Sequence, residues 1–284
     1  MLKNLKYFIR YLLIPDPLYI KYKFKKYLKY NLNLKNPKSF NEKLQWLKIN
    51  DRTKLHTKCA DKYLVREYIE EKIGKEYLIP LIFVTDKIED ISIEKLPDFP
   101  VIIKPNHSRG AYIIKDKFKS NLKSIQKKLK DELKVNFYYR TREWQYKHIK
   151  PLIIVEKLLL DENNQIPSDY KFLCMNGKVQ LIQVDVDRFD KHEKTLYNKN
   201  WERQDFEFNF PKGKDIKKPK LLEKMIEISE ILSKDFIFVR VDLYTLQDKI
   251  YFGELTFHPA GGFGWFNPPE FDFILGEKLI LKKT

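Results

Sequence analysis

The sequence predicts an α+β protein with more than one lobe. Two observations carry that reading: residues 1–72 are mainly helical in texture, and from Tyr77 onward short apolar strands come in groups with helices interspersed. In chain order, MLKNLKYFIRYLLIPDP holds an apolar run broken by Arg10 and no small-residue cleavage site, so it reads as a helix and not a signal peptide. Ser39 with Glu42 three positions later is a capping-box pattern that opens the helix KLQWLKI. A further helix, DKYLVREYIEEKI, stops at Gly74. YLIPLIFV and PVIIKP (100–105) read as short strands separated by an acid-rich loop and helix. AYIIKD follows a small loop, NLKSIQKKLKDELKVNFYYR is helical, and PLIIVEKLLL is a strand entering a connector. DYKFLCMNGKVQLIQVDVD reads as a hairpin around Asn176-Gly177, a favoured tight-turn pair. The helix KLLEKMIEISEILSK then leads into FVRVDLYTLQDKIYFGELTFHPAGG, two strands around a polar turn. The chain divides into a basic helical region 1–60, a helix and linker 61–96, and two lobes at 97–160 and 161–284.

At 284 residues the chain can bury a substantial core, and 43% hydrophobic with 14% aromatic content excludes a disordered protein. No run reaches the ~18 apolar residues needed to span a bilayer. Two cysteines, Cys59 and Cys174, do not make a disulfide framework. Cys174 lies in the apolar run KFLCM and reads as a buried free thiol, and the cytoplasm is the expected location. The net charge of +16 is spread widely but is dense in YIKYKFKKYLKYNLNLKNPK, where lysine alternates with tyrosine. That segment fits a solvated helix face, a peripheral contact with a membrane, or a polyanion surface. Nucleic acid is disfavoured because no nucleic-acid motif accompanies the charge.

The last hairpin is unusual because each apolar strand carries an acid, Asp242 and Glu254. Alternation places Arg240, Asp242 and Tyr244 on one face of the first strand, and Phe252, Glu254, Thr256 and His258 on one face of the second. A three-residue loop, Gln247-Asp248-Lys249, sets Asp242 opposite Glu254 with Cβ atoms about 4.5–5.5 Å apart; a two-residue loop breaks that pairing by one position. Two such carboxylates need a cation between them, either Arg240 or a nearby lysine, or a divalent metal such as Mg²⁺. Elsewhere, IIKPNHSRGAYII places Lys104 at a strand end beside a polar turn, a setting that suits a phosphate chain or an ordinary hairpin. VEKLLL sets Glu156 and Lys157 at the end of an apolar strand. Asp169 and Lys171 share a strand face, where they suit ribose and phosphate contacts or a salt bridge. His107 and His258 stand alone, without zinc-ligand spacing, and no nucleophile elbow is present.

Taken in order, these segments resemble the TupA-like ATP-grasp family, linked to bacterial surface-polymer synthesis. The resemblance is carried by SFNEKLQWLKINDR, ADKYLVREYI, IGKEYLIPL, VIIKPNHSRG, LIIVEKLL, SDYKFLCMNG, FVRVDLY and YFGELTFHPAGG, and runs from about residue 36 nearly to the end of the chain. It implies an ATP-grasp fold, two α+β lobes around a nucleotide cleft, with a helical N-terminal region. It also implies ATP and Mg²⁺. Lys104 would contact the nucleotide phosphates, His107, Ser108, Arg109 and Gly110 would form the loop folding over them, and Lys62 would lie near the nucleotide. Glu156 and Lys157 would hold adenine at the hinge, Asp169 the ribose, and Lys171 a phosphate. Asp242 and Glu254 match the magnesium acids, with Thr256 where many ATP-grasp enzymes use asparagine. The loop HSRG is poorer in glycine than the family pattern. The implied activity is carboxylate–amine ligation through an acyl phosphate, with Lys104, Lys171 and Arg240 as counter-charges. The acid would be a uronic acid in an acidic saccharide or an amino-acid carboxylate, joined to an amine substrate. A glycan kinase, a glycosyltransferase and a non-catalytic polyanion-binding module are the competing expectations.

Overall fold

The computed structural model describes residues 2–186 and 193–281. Its first 72 residues form α1 (Leu2–Leu13), α2 (Asp16–Leu28), α3 (Phe40–Asn50), α4 (Lys54–Ala60) and α5 (Val65–Lys72). β1 (Leu81–Thr85), β2 (Val101–Pro105) and β3 (Tyr112–Ile114) follow, then α6 (Leu122–Leu133), α7 (Phe137–Thr141) and β4 (Ile153–Lys157). The remainder holds β5 (Asp169–Met175), β6 (Lys178–Val186), β7 (Glu193–Tyr197), β8 (Glu207–Phe208), α8 (Leu222–Ser233), β9 (Phe238–Leu246), β10 (Lys249–Thr256), β11 (Phe266–Asn267) and α9 (Glu270–Lys278). The expected capping box is formed: Glu42 N–H donates to Ser39 Oγ at 3.1 Å and Ser39 N–H to the Glu42 carboxylate at 3.2 Å. It starts α3 by satisfying two of the amides that a helix N-terminus otherwise leaves unpaired.

Two sheets organise the rest. The first has the order β1-β4-β2-β3, all antiparallel, and buries Val101, Ile103, Ile114, Ile153 and Val155 against Leu129 of α6. Its edge strand β1 comes from the 61–96 segment. The second sheet has the order β10-β9-β5-β6-β7. One of its faces presents Phe172, Cys174, Ile182, Val239 and Val241 to α8 and α5. The opposite face is apolar only at one end, where Leu173, Met175, Leu181 and Phe238 pack against Phe40, Leu44 and Leu47 of α3 and Leu275 of α9. A glycine permits that closure, since a Cβ on Gly276 would lie 2.2 Å from the Lys38 carbonyl oxygen. Helix α9 lies in a stretch for which the sequence reading made no assignment. Cys59 and Cys174 are both buried and free, and burial pushes each thiol up to about 12.

Two hairpins of the second sheet, β9–β10 and β5–β6, depart from simple counting. Gln247 and Asp248, at φ 49° and 60°, make a two-residue turn closed by Leu246 opposite Lys249, not the expected three-residue loop. Asp242 nevertheless faces Glu254, because a bulge between Phe252 and Glu254 adds one residue and restores the pairing. The bulge residue is Gly253, where a Cβ would come within 2.8 Å of the Tyr244 ring and 3.1 Å of the Asp242 carbonyl oxygen. It also turns Phe252 into the core with Ile250, Leu255 and Phe257, so Phe252 does not share a face with Glu254 as alternation alone implied. The β5–β6 hairpin turns at Asn176 and Gly177 as expected, and it too carries a bulge, which sets Asp169 opposite Asp185.

Candidate active site

The polar end of the second sheet gathers six of the expected residues, Asp169, Lys171, Arg240, Asp242, Glu254 and Thr256. Register places Glu254, Asp242, Lys171 and Gln183 in one row across β10, β9, β5 and β6. The adjacent row runs Tyr244, Asp169, Asp185 and Lys194. Side chains so aligned point to one face at neighbouring spacing. Lys171 ion-pairs with Asp169, with Asp185 at 3.3 Å and with Asp242 at 3.6 Å. Burial would lower its pKa, but Asp242 and Asp169 outweigh that and hold the ammonium above its ordinary value. Asp185 and Gln183 were missed by the sequence reading, because only the bulged register shows that they stand opposite Asp169 and Lys171.

Arg240 binds both acids of the hairpin. Its Nε and a terminal nitrogen donate to the two Asp242 oxygens at 2.7 Å each, and that terminal nitrogen also reaches Glu254 Oε1 and Thr256 Oγ1 at 3.1 Å. Thr256 donates to Glu254 Oε1 at 3.0 Å, so three oxygen-bearing side chains converge on one guanidinium. The two acids titrate apart. Burial pushes Asp242 up to about 6 despite Arg240 and Lys171. Glu254, with 38% of its side chain exposed, is lowered to about 2: burial opposes the shift, while Lys62 and Arg240 overcome it.

The first sheet faces this row with Lys104, whose Nζ lies 2.6 Å from Glu156 Oε2, while Arg66 holds the other oxygen at 3.1 Å. Arg66 is a second residue the sequence reading missed. Lys62 bridges the lobes, donating to the Ser108 carbonyl oxygen at 2.8 Å and lying 3.8 Å from Glu254. The loop after β2 is fixed in its first half: Asn106 bonds Asp61 and the 150–152 segment, His107 is buried, and Ser108 donates to Glu132 at 2.6 Å. Arg109 is exposed beyond it, with Gly110 next in the chain. Lys157 is exposed and joins none of these pairs among the contacts described; its amide and that of Leu158 donate to the Pro80 and Pro100 carbonyls. Just past Thr256, Lys48 donates to the Gly261 carbonyl at 2.6 Å, and Gln145 meets His258 at 3.1 Å beside the buried Glu143. Burial holds Lys48 down at about 8 and His258 well below its ordinary value.

The family profile described as TupA-like ATPgrasp matches residues 42–280. The chain belongs to the TupA-like ATP-grasp family. Among curated proteins none matches it. The fold is also that of the L-amino acid ligase from Bacillus licheniformis, with a TM-score of 0.52 at 14% identity over 86% of this chain and 56% of that one. The D-alanine–D-alanine ligases of Bacillus anthracis and Helicobacter pylori align at 0.43 and 0.42, with 18% and 17% identity, over 70% and 78% of this chain. The chain covers 56% and 61% of those two proteins, less than two thirds of their length. Lys62 lies where the two sheets approach, between the Ser108 carbonyl after β2 and Glu254 at the β10 end of the charged row.

The donor set of this TupA-like chain fits a magnesium ion. Mg²⁺ takes one or two carboxylates and completes its shell with water and phosphate oxygens. Asp242 and Glu254 meet that need, and a carboxylate bonded by arginine still has lone pairs for a metal. Among the described residues no cluster of three or more His, Cys, Asp or Glu side chains could hold a metal, so an all-protein cage is not offered. Burial is what raises Asp242 to about 6, against the pull of Arg240 and Lys171, and a further cation beside its carboxylate would favour the ionised form.

Proposed function

We propose that this chain is an ATP- and Mg²⁺-dependent carboxylate–amine ligase acting through an acyl phosphate. The observation that carries the reading is the row Glu254–Asp242–Lys171, with Arg240 joining its two acids and Lys62 tying it to the loop beside Lys104. A metal held by Asp242 and Glu254, with Thr256 alongside, would supply charge neutralisation at the phosphate oxygens. The chain's own residues account for the rest. Lys104 and Lys62, each partly open, offer positive charge to a phosphate chain, and Arg240, bonded to both acids, would help neutralise charge on the transferred phosphoryl group. Lys171 is buried among three carboxylates, and its part is to hold Asp169 and Asp242 in place for ribose and metal. Glu156, fixed by Lys104 and Arg66, presents the hinge to adenine. In the reaction the γ-phosphoryl passes to a carboxylate oxygen and ADP leaves. An amine nitrogen then attacks the acyl carbon, phosphate departs, and the amine proton goes to solvent.

The carboxylate we assign is a uronic acid of a bacterial capsule or cell-surface polysaccharide, or an amino-acid carboxylate. A cytoplasmic protein in peripheral contact with the membrane belongs to the same reading. No helix among the described residues is long and apolar enough to cross a membrane. Mass spectrometry after incubation with ATP, Mg²⁺ and a panel of uronates and amines tests it. The expected product carries the mass of the amide, with one ADP and one phosphate formed per amide. A phosphorylated saccharide formed without amine would establish a kinase instead, and a glycoside would establish a transferase.

A further inference from the structure

The first two helices carry an outward surface that the nucleotide site does not use. On α1, Leu5, Ile9 and Leu12 recur at helical spacing and are 54%, 46% and 64% exposed. Leu13 at 75% and Leu18 at 59% continue the exposed apolar run into α2. The helix is docked, not loose, because its other side is clamped to the body. Tyr11 meets Tyr138 and Tyr139 at ring distances of 5.3 and 5.0 Å. The fully buried Arg142 donates to the Arg10 and Ile14 carbonyls and lies over the rings of Tyr11 and Tyr19. So many large apolar side chains held in water on one surface mark an interaction face.

Charge says what covers it. Between residues 2 and 30 the sequence has eight lysines and arginines and one acid, Asp16, which Arg52 and Arg142 already neutralise. On α2, Lys21, Lys25 and Lys26 line a groove of about 730 Å³ with Tyr22 and Leu32. A second copy of this chain would bring lysine against lysine, and a soluble polyanion would leave the apolar stripe in water. A surface with an apolar interior beneath anionic headgroups satisfies both halves. We propose that α1 and α2 form an in-plane docking surface for an anionic phospholipid bilayer, with the α1 stripe entering the acyl boundary and the α2 lysines holding headgroup phosphates.

The contact rests on the ligase reading only for its purpose, so vesicle binding is measured without ATP and nucleotide binding without vesicles. In cosedimentation, the full chain should bind phosphatidylcholine vesicles containing phosphatidylglycerol at least about tenfold more tightly than pure phosphatidylcholine vesicles. An Ile9→Glu/Leu12→Glu variant should lose about tenfold or more of that binding. A Lys21→Glu/Lys25→Glu/Lys26→Glu variant should lose as much and become insensitive to salt. Circular dichroism and Mg²⁺–ATP binding should match the wild type in both, since the changed side chains lie outside the cleft. The proposal is overturned if the wild type binds neither vesicle, or if both variants bind like the wild type. It is equally overturned if the α1 variant turns a dimer into a monomer in analytical ultracentrifugation, which would make the stripe a contact between copies.

Discussion

One face of the five-stranded sheet is built two ways. At one end Leu173, Met175, Leu181 and Phe238 are sealed under α3 and α9. Two residues along the same strands, Lys171, Gln183, Arg240 and Asp242 occupy the equivalent positions, and the face becomes a field of paired charge. The apolar end is held by area removed from water, a force indifferent to pH. The charged end persists only because each buried carboxylate meets a cation, and it is correspondingly sensitive to the loss of a single partner. The sheet is thus fixed at one end by packing, while the other end holds closely spaced acids and bases in register.

Two substitutions of similar cost should separate these ends. Phe238→Ala should destabilise the fold by about 3–5 kcal/mol in urea titrations, equally at about pH 5.5 and about pH 8. Lys171→Met should also cost about 3–5 kcal/mol near neutral pH, because it leaves Asp169, Asp185 and Asp242 without their shared ammonium. Its cost should shrink as acid protonates those groups, and a cost independent of pH would contradict the charge account.

Asp242→Asn and Glu254→Gln should each lower turnover by about a hundredfold or more with an unchanged circular dichroism spectrum. Next comes pH. Burial raises Asp242 to about 6, above an unfolded aspartate, so its contribution to stability is present at low pH and lost as pH rises through about 6. Magnesium offsets that loss only where Asp242 is ionised. The rise in Tm caused by Mg²⁺ should therefore appear above about pH 6, and Mg²⁺ affinity should fall towards tenfold per pH unit below it. The smallest effect should come from Gly253→Ala, about 1–3 kcal/mol by crowding Tyr244 and the Asp242 carbonyl. Reduced Mg²⁺ affinity alongside that loss would show that the bulge positions Glu254.

The same comparison marks what was legible in the sequence. The helical character of residues 1–72, helices α6 and α8 and the Ser39–Glu42 cap followed from spacing and local hydrogen-bond chemistry, which act over a few residues, whereas α9 and the apolar end it closes did not. The pairing of Asp242 with Glu254 was also anticipated, but by a different route: a two-residue turn at Gln247-Asp248 with a bulge at Gly253 does what a three-residue loop was expected to do. Asp185 stayed hidden for the same reason. Counting back from the Asn176-Gly177 turn without a bulge puts Val184 opposite Asp169, whereas the extra residue beyond Leu173 brings Asp185 there. A bulge depends on packing across the sheet, as with Tyr244 over Gly253, and a single strand's alternation does not encode it. Arg66 was invisible for a simpler reason: α5 reaches Glu156 across 90 residues of chain.

We propose the charged end of the sheet as a magnesium–nucleotide site. Calorimetric titration with a non-hydrolysable ATP analogue, with and without Mg²⁺, tests it most directly on the wild type and on the Asp242→Asn/Glu254→Gln variant. Binding by the wild type should require Mg²⁺ and should be lost in the folded double variant. Binding that is equal with and without Mg²⁺, or equal in the two proteins, would contradict it.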